Sequence, residues 1–176
     1  MGRPGFYGRR GARDEGGGTR GQELIAYPDT SFLCALYRMQ DNSERALAWR
    51  EAMLEPLHVS RPLLWEFRQS ARFQAFRHRR DRDVGYPMHE AEKMIADLGE
   101  DMKAGLVVAA DCDLADVFVI GERLSNQWTY ESGHRSFDIL HIATALALGA
   151  RDFLSFDANQ IQLAAAEGLA TPLKWL

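Results

Sequence analysis

Four acidic residues stand at positions from which their carboxylates could act together: Asp29, Glu66, Asp138 and Asp157. Carboxylates that share one site raise one another's pKa, and a divalent cation removes that conflict. Ligation by oxygen alone suits Mg²⁺ or Mn²⁺, whereas zinc would call for suitably spaced histidine or cysteine. Such ions activate water and neutralise charge on a phosphate. Convergence of the four acids would therefore support hydrolysis of a phosphodiester.

Each acid also has a simpler explanation when it is considered alone. Asp29 and Asp157 precede helical stretches, where aspartate is a favoured N-cap, and Asp157 with Gln160 resembles a capping box. Glu66 and Asp138 are ordinary first-turn acids of the kind that the helix dipole favours. Capping does not predict, however, that all four acids occur where successive units of a parallel sheet begin. This joint placement favours a metal site.

The elements that must position these acids follow from the apolar pattern of the chain. Short apolar runs predict strands at 24–27, 57–59, 106–110 and 152–156, and a last short strand at 171–175. Helical spacing predicts helices at 30–39, 43–54, 60–82, 88–103, 114–124, 136–148 and 161–167, with a loop at 127–133. The alternation predicts an α/β fold with a central, mainly parallel sheet of about four to five strands flanked by helices. Ligands bind such sheets at the carboxyl ends of the strands, which is where Asp29 and Asp157 fall.

Composition divides the chain into an N-terminal extension, residues 1–22, and one domain, residues 23–176. The extension is rich in glycine and arginine and has almost nothing able to build a core, so we expect it to be disordered. Its five arginines and two acids give a charge of +3, so the total of −4 leaves −7 for the domain. A domain this acidic would need a local basic patch to bind nucleic acid.

Nothing in the sequence indicates secretion or a membrane. The basic start is not followed by the apolar stretch of a signal peptide, and no later run is long and apolar enough to span a bilayer. Cys34 and Cys112 lie far apart, without the spacing of a metal site or a disulfide framework, so both are expected to be reduced packing residues. We therefore expect a cytoplasmic protein.

Four short blocks, in this order, resemble the PIN domain family. They are Pro-Asp-Thr-Ser-Phe-Leu (28–33), Leu-Leu-Trp-Glu-Phe (63–67), Arg-Ser-Phe-Asp-Ile-Leu-His-Ile-Ala-Thr-Ala-Leu (135–146) and Phe-Leu-Ser-Phe-Asp (153–157). The last two blocks look particularly like VapC-type toxins of toxin–antitoxin pairs. The N-terminal extension and the long, basic second half of the helix that carries Glu66 depart from the family pattern.

The resemblance implies an endoribonuclease that depends on Mg²⁺ or Mn²⁺, is usually dimeric, and is held inactive by a cognate antitoxin. It also assigns roles by position. Asp29, Glu66, Asp138 and Asp157 would form the catalytic, metal-binding cluster. Thr30 or Ser31, together with Ser155, would support it near the metal.

Several other residues are weaker candidates. The helix after Glu66 carries a basic run with interleaved aromatics, which could grip RNA phosphates, form a solvated face, or dock an antitoxin or a second subunit. This run comprises Arg68, Arg72, Arg77, His78, Arg79, Arg80 and Arg82, with Phe73 and Phe76. His141, one turn after Asp138 on the same face, is a candidate for ordering a metal-bound water or contacting phosphate, or is an ordinary packed histidine. His134 and Arg135 are candidate phosphate contacts or simple loop residues.

The hypothesis at this point is hydrolysis of RNA by a metal-dependent toxin nuclease. Two other classes of protein stay open. A degenerate PIN-like module would bind RNA or a partner without turnover. A small phosphoester phosphatase would use the first strand-end aspartate as a nucleophile, but it typically wants a second acid two residues later, where this chain has Ser31.

Overall fold

Strands and helices alternate along the chain, as the apolar pattern predicts. A computed structural model describes residues 26–175, so the extension 1–22 and its predicted disorder lie outside the described residues. The strands are β1 (Ala26–Pro28), β2 (Leu57–Ser60), β3 (Val107–Ala110) and β4 (Asp152–Leu154). The helices are α1 (Thr30–Tyr37), α2 (Ser43–Ala52), α3 (Arg61–Arg80), α4 (Met88–Lys103), α5 (Leu114–Leu124), α6 (Tyr130–Ser132), α7 (Ser136–Ala147) and α8 (Ala158–Ala166).

The strands form two adjacent parallel pairs. β1 pairs with β4 in the register Tyr27 to Phe153, and β2 pairs with β3 in the register Val59 to Ala109. β1 lies beside β2, and the Tyr27 hydroxyl and Ser60 Oγ are joined by a hydrogen bond of 2.7 Å. Within each pair the two strands therefore end at the same edge, and the helices pack around them, as in the predicted parallel α/β fold. The four strands form two two-stranded sheets, whereas one sheet of about four to five strands was expected.

Local chemistry explains where the site-bearing helices begin. Ser60 caps α3, its Oγ accepting the N–H of Leu63 at 3.3 Å, and Pro62 lies in the first turn, where its missing N–H costs nothing. Asp29 caps α1 in the same way, and its own N–H donates to the carbonyl of Leu154 at 2.9 Å. The caps fix the direction in which each helix leaves its strand, and therefore where Asp29 and Glu66 lie.

Two predicted segments are wrong. The region predicted as a loop, 127–133, is helical: a π-helical turn, Ser125–Thr129, continues α5, and α6 follows it. No glycine or proline interrupts the chain there until Gly133, whose φ of 67° ends the helix. The predicted last strand is a 3₁₀ helix, Pro172–Trp175, because Pro172 has no N–H to donate to a ladder. A single bridge pairs Asp152 with Ala170 just before it.

The core lies between the strands and the surrounding helices. Its largest fully buried side chains include Tyr27, Phe32, Phe67 and Phe153, which come from β1, α1, α3 and β4. Among the described helices, none is both long and apolar enough to cross a membrane. The core therefore joins the elements that carry Asp29 and Glu66 into one rigid support.

Candidate active site

Asp29 is completely buried at the end of β1. Its Oδ1 accepts hydrogen bonds from Ser31 Oγ at 2.7 Å and from the N–H of Phe32 at 2.9 Å, and its Oδ2 accepts one from Ser155 Oγ at 2.7 Å. Burial raises the pKa of the Asp29 carboxyl, and these hydrogen bonds oppose the rise without cancelling it. An acid in this setting is stabilised in its charged form by a nearby cation.

Glu66 lies in the second turn of α3 and is held through one oxygen. Its Oε2 accepts a hydrogen bond from Thr30 Oγ1 and lies 2.5 Å from Nε2 of His141, which is 2% exposed. Burial acts to raise the pKa of Glu66, but the hydrogen bond and charge of His141, with the bond from Thr30, outweigh it and leave the pKa below its ordinary value. Oε1 makes no hydrogen bond with any described residue.

The other two acids act as helix-end residues in this structure. Asp138, in the first turn of α7, accepts the N–H of Arg135 on Oδ2 at 2.9 Å. Asp157 is exposed and caps α8, accepting the N–H of Asn159 at 2.8 Å and that of Gln160 at 3.1 Å. The capping explanation therefore describes both of them, and it does not exclude a second role for their remaining oxygens.

Hydrogen bonds join the predicted residues into two neighbouring networks. One network holds Asp29 between Ser31 and Ser155, and Ser155 Oγ also accepts the N–H of Asp157 at 2.9 Å. The other network runs from Thr30 through Glu66 to His141. The two meet where Asp29 and Thr30 follow each other in the chain. Asp138 precedes His141 by one turn of α7, so all four acids belong to elements that border these networks.

The donor chemistry fits a hard divalent cation, since the side chains concerned offer carboxylate and hydroxyl oxygens. These side chains do not, however, form a complete set of metal ligands in this structure. Within residues 26–175, no three histidine, cysteine, aspartate or glutamate side chains lie close enough together to hold a metal ion. Glu66 Oε2 is instead engaged by Thr30 and His141, and the available oxygens include Glu66 Oε1 and Asp138 Oδ1.

The predicted RNA-binding residues fall on two surfaces. Arg72, Arg79 and Arg80 are exposed on α3 and Arg68 is half-buried there. The guanidinium groups of Arg79 and Arg80 lie 5.7 and 5.4 Å from the ring centre of Phe76. Arg135 is exposed before α7. His134 is buried at 8% exposure and borders a cavity of about 330 Å³ beside α5.

Two contacts of the site were not predicted from the sequence. His141 was expected to order a metal-bound water, to contact phosphate, or to be a packed histidine; it is buried, and the partner of its Nε2, Glu66, was not foreseen. The bond between Tyr27 and Ser60 was not foreseen either. Helical spacing does place His141 on the same face as Asp138, but it gives no information about a partner 75 positions away.

The family follows from a match that spans most of the chain. The sequence matches the PIN domain family over residues 26–166, and the chain therefore belongs to that family. The matched segment begins at β1 and ends in α8, so it contains the four acids and both hydrogen-bond networks. A comparison with curated proteins gives no match.

Solved structures with the same fold come from several organisms. VapC20 of Mycobacterium tuberculosis, described as a sarcin-ricin loop cleaving toxin, is similar with a TM-score of 0.53 and 17% identity, over 82% of this chain and 96% of that one. FitAcB of Neisseria gonorrhoeae gives 0.57 and 17%, over 86% and 100%. VapBC-1 of nontypeable Haemophilus influenzae gives 0.57 and 15%, over 84% and 96%. At these identities the similarity shows the fold.

Proposed function

We propose that this chain is a ribonuclease that depends on Mg²⁺ or Mn²⁺ and cleaves RNA phosphodiester bonds. The observation that carries the proposal is the pair of adjacent networks around Asp29 and Glu66, at the carboxyl ends of the parallel strands of a PIN domain. Ligands of parallel sheets bind at this edge. A ligand there would meet the buried carboxylate of Asp29, the hydroxyls of Ser31 and Ser155 that bond to it, and the carboxylate of Glu66.

The residues of the chain would divide the work. Asp29, Asp138 and Asp157 would be the main metal ligands, and Glu66 would be a ligand or would orient the attacking water. Ser31 and Ser155 hold both oxygens of Asp29, and Thr30 with His141 holds Glu66 so that Oε1 stays available. When bound, the cation would supply activation of water and neutralisation of phosphate charge.

The biological setting that we propose is the toxin of a type II toxin–antitoxin pair. The similarity to VapC20, which is described as a cleaving toxin, and to VapBC-1 supports this setting. Its partners would be RNA, a cognate antitoxin and a second copy of the chain. Because the domain is acidic overall, RNA would bind through local cations such as those of α3 and Arg135.

The test is cleavage of a labelled RNA that contains single-stranded and looped segments, by the purified full chain with Mg²⁺ or Mn²⁺. Asp29→Asn and Asp138→Asn should each lower the rate at least about 100-fold, since even outer partners of a metal site typically contribute roughly 10- to 100-fold. Asp116→Asn is the matched control, because Asp116 is exposed on α5, away from both networks, and should leave the rate unchanged.

The two alternative functions, a binding module and a phosphatase, predict different results. Cleavage that is unchanged in both Asp29→Asn and Asp138→Asn, with folding verified by circular dichroism, would exclude this mechanism. Calorimetry that detects no Mn²⁺ binding would favour a PIN-like binding module, which the absence of a grouped ligand set within residues 26–175 also fits. Hydrolysis of a small phosphate ester with RNA left intact would favour a phosphatase.

A further inference from the structure

A groove of about 820 Å³ lies between the second half of α3 and the first half of α4. Its floor is apolar, formed by side chains that include Phe76, Ala91 and Ile95, and Met88 stands at its edge with 67% exposure. Cations line its α3 side: Arg72, Arg79 and Arg82. The groove lies beyond the hydrogen-bond networks of the candidate active site, whose contribution from α3 is Glu66.

The charge of the groove is opposite to that of the domain. Among the described residues, none of Arg72, Arg79 and Arg82 forms an ion pair with an acid, and Glu92 is the single carboxylate in the lining. The domain as a whole carries −7 by the sequence count. Unpaired arginines gathered on an acidic protein produce a local positive field, which attracts an acidic ligand.

The groove also contains an unsatisfied polar atom. Nδ1 of His78, a lining residue, is buried and has no hydrogen-bond partner within the described chain. A buried polar atom without a partner is costly, and this one could meet a ligand only if the imidazole turned toward the groove.

The width of the groove is set in advance by the turn between its two helices. Gly85 has a φ of 70°, and a side chain there would place its Cβ only 2.2 Å from the carbonyl oxygen of Gln74. The turn therefore packs directly on the backbone of α3 in a way that only glycine allows. Because α3 and α4 are already held apart in the free protein, no binding energy would be spent on opening the groove.

The lining favours a protein ligand over RNA. Arginine, phenylalanine and methionine are the residues enriched at protein interfaces, and lysine, which is depleted there, is absent from this lining. An apolar floor offers little to the polar edges of bases, and the lining has two rings on which a base could stack, those of Phe76 and His78. The chain's own extension, residues 1–22, carries +3 and would be repelled.

We propose that the α3–α4 groove binds an amphipathic helix of a partner protein, with apolar residues on the face that enters the groove and glutamate or aspartate beside them. Within α3 the lining extends from Arg72 to Arg79, about 10 Å at 1.5 Å per residue, which matches about two turns of such a helix, and Arg82 follows just after α3. Helices with one apolar face commonly bind grooves of this kind. The groove would bind this partner whether or not the chain cleaves RNA.

The experiment measures fluorescence anisotropy of a labelled, side-chain-stapled peptide of about 14 residues, with leucine on one helical face and glutamate flanking it. The staple is needed because free helices of this length are marginal in water. Full-length protein should bind it saturably and less tightly as salt is raised. Arg79→Glu combined with Arg82→Glu should raise the Kd at least about tenfold, since two attractive charges become repulsive.

The matched control is Arg77→Glu, which makes the same charge change on the same exposed helix but outside the lining, and it should change the Kd less than about twofold. Three results would overturn the proposal. The first is a lack of charge-selective binding: a peptide with lysine in place of glutamate binds equally well, or neither peptide binds. Another is tighter binding of a single-stranded oligouridylate with the same sensitivity to the double variant. The third is self-association of the protein that the double variant abolishes.

Discussion

The carboxylate of Glu66 is positioned by a histidine that solvent scarcely reaches. His141 packs between the rings of Tyr27 and Phe137 and presents Nε2 to Glu66 at 2.5 Å. Its Nδ1 is buried and has no hydrogen-bond partner within residues 26–175, so the ring is held by packing on one side and by Glu66 on the other. In this arrangement His141 determines which oxygen of Glu66 remains available.

Replacing His141 tests this arrangement. His141→Ala should lower the free energy of unfolding by about 1–3 kcal/mol, because it removes a hydrogen bond to a charged group and leaves a small cavity. RNA cleavage should fall about tenfold as Glu66 loses its orientation, and His141→Gln, which keeps a donor, should restore part of the rate. Urea unfolding and initial cleavage rates measure the two effects.

The control for His141 is His89→Ala, which changes an exposed histidine on α4 and should leave both quantities unchanged. A His141→Ala protein that is destabilised but cleaves RNA at the wild-type rate would show that the histidine serves packing alone.

At the residue scale, the sequence predicts positions better than contacts. The strand-end positions of Asp29 and Asp157 and the first-turn position of Asp138 were predicted, because capping and apolar periodicity are local properties. Glu66 was expected in a first turn but lies in the second turn of α3. The contacts of Glu66 join it to Thr30, 36 positions away, and to His141, 75 positions away. No local pattern encodes a contact of that separation, so the pairing of Glu66 with His141 required the structure.

At the element scale, Glu167 fastens the end of α8 to the α5 region. It accepts a hydrogen bond from Arg123 Nη2 at 2.7 Å and one from Trp128 Nε1 at 2.8 Å. The hydrogen bond from Arg123 is the main cause that lowers the pKa of Glu167; burial opposes it, and the bond from Trp128 adds to it. The π-helical turn, which was predicted to be a loop, is thereby bonded to the last helix through Trp128.

This contact should make stability depend on pH. A carboxyl whose pKa is lower in the folded protein contributes stability above its unfolded value, near 4.3, and loses that contribution as the pH falls through the folded pKa. Glu167→Gln should therefore destabilise the protein by about 1 kcal/mol at neutral pH, a modest value because Arg123 is half exposed. The difference should shrink in acid below about pH 4.

Urea unfolding across this pH range measures the effect, with Glu131→Gln, an exposed acid of α6, as the control that shows no such change. A difference between wild type and Glu167→Gln that is constant from neutral to acid pH would rule out the ion pair as its source.

A comparison of elements shows why some were predicted from the sequence and others were not. α3 and α7 have capped starts and long apolar faces, so their existence followed from the pattern. Residues 125–132 lack that periodicity and are helical because Trp128 and Glu167 bond across the structure. β4 and Ala170 meet through one bridge only, and Pro172 then prevents the predicted strand. Tertiary contacts decided the first case, and a missing N–H decided the second.

At the scale of the whole molecule, charge is segregated. The extension carries +3, the rest of the chain −7, and the arginines of α3 form a local exception within that acidic domain. An RNA substrate would therefore be repelled by most of the protein surface and attracted only at a few basic patches. The family match begins at residue 26, so the extension stands outside the part of the chain that the PIN domain accounts for.

Deleting residues 1–22 should weaken the capture of RNA without changing the chemistry. Removing +3 from a protein of total charge −4 lowers attraction to phosphates, so KM should rise, by roughly two- to tenfold at low salt, while kcat stays constant. The effect should disappear at high salt, where such attraction is screened. The free energy of unfolding should not change, because the core described above lies within residues 26–175.

A full-length variant with serine at all five arginines of the extension is the matched control, and it should reproduce the rise in KM. A fall in kcat at every salt concentration, or normal KM in the serine variant, would instead assign the extension a role that does not depend on its charge.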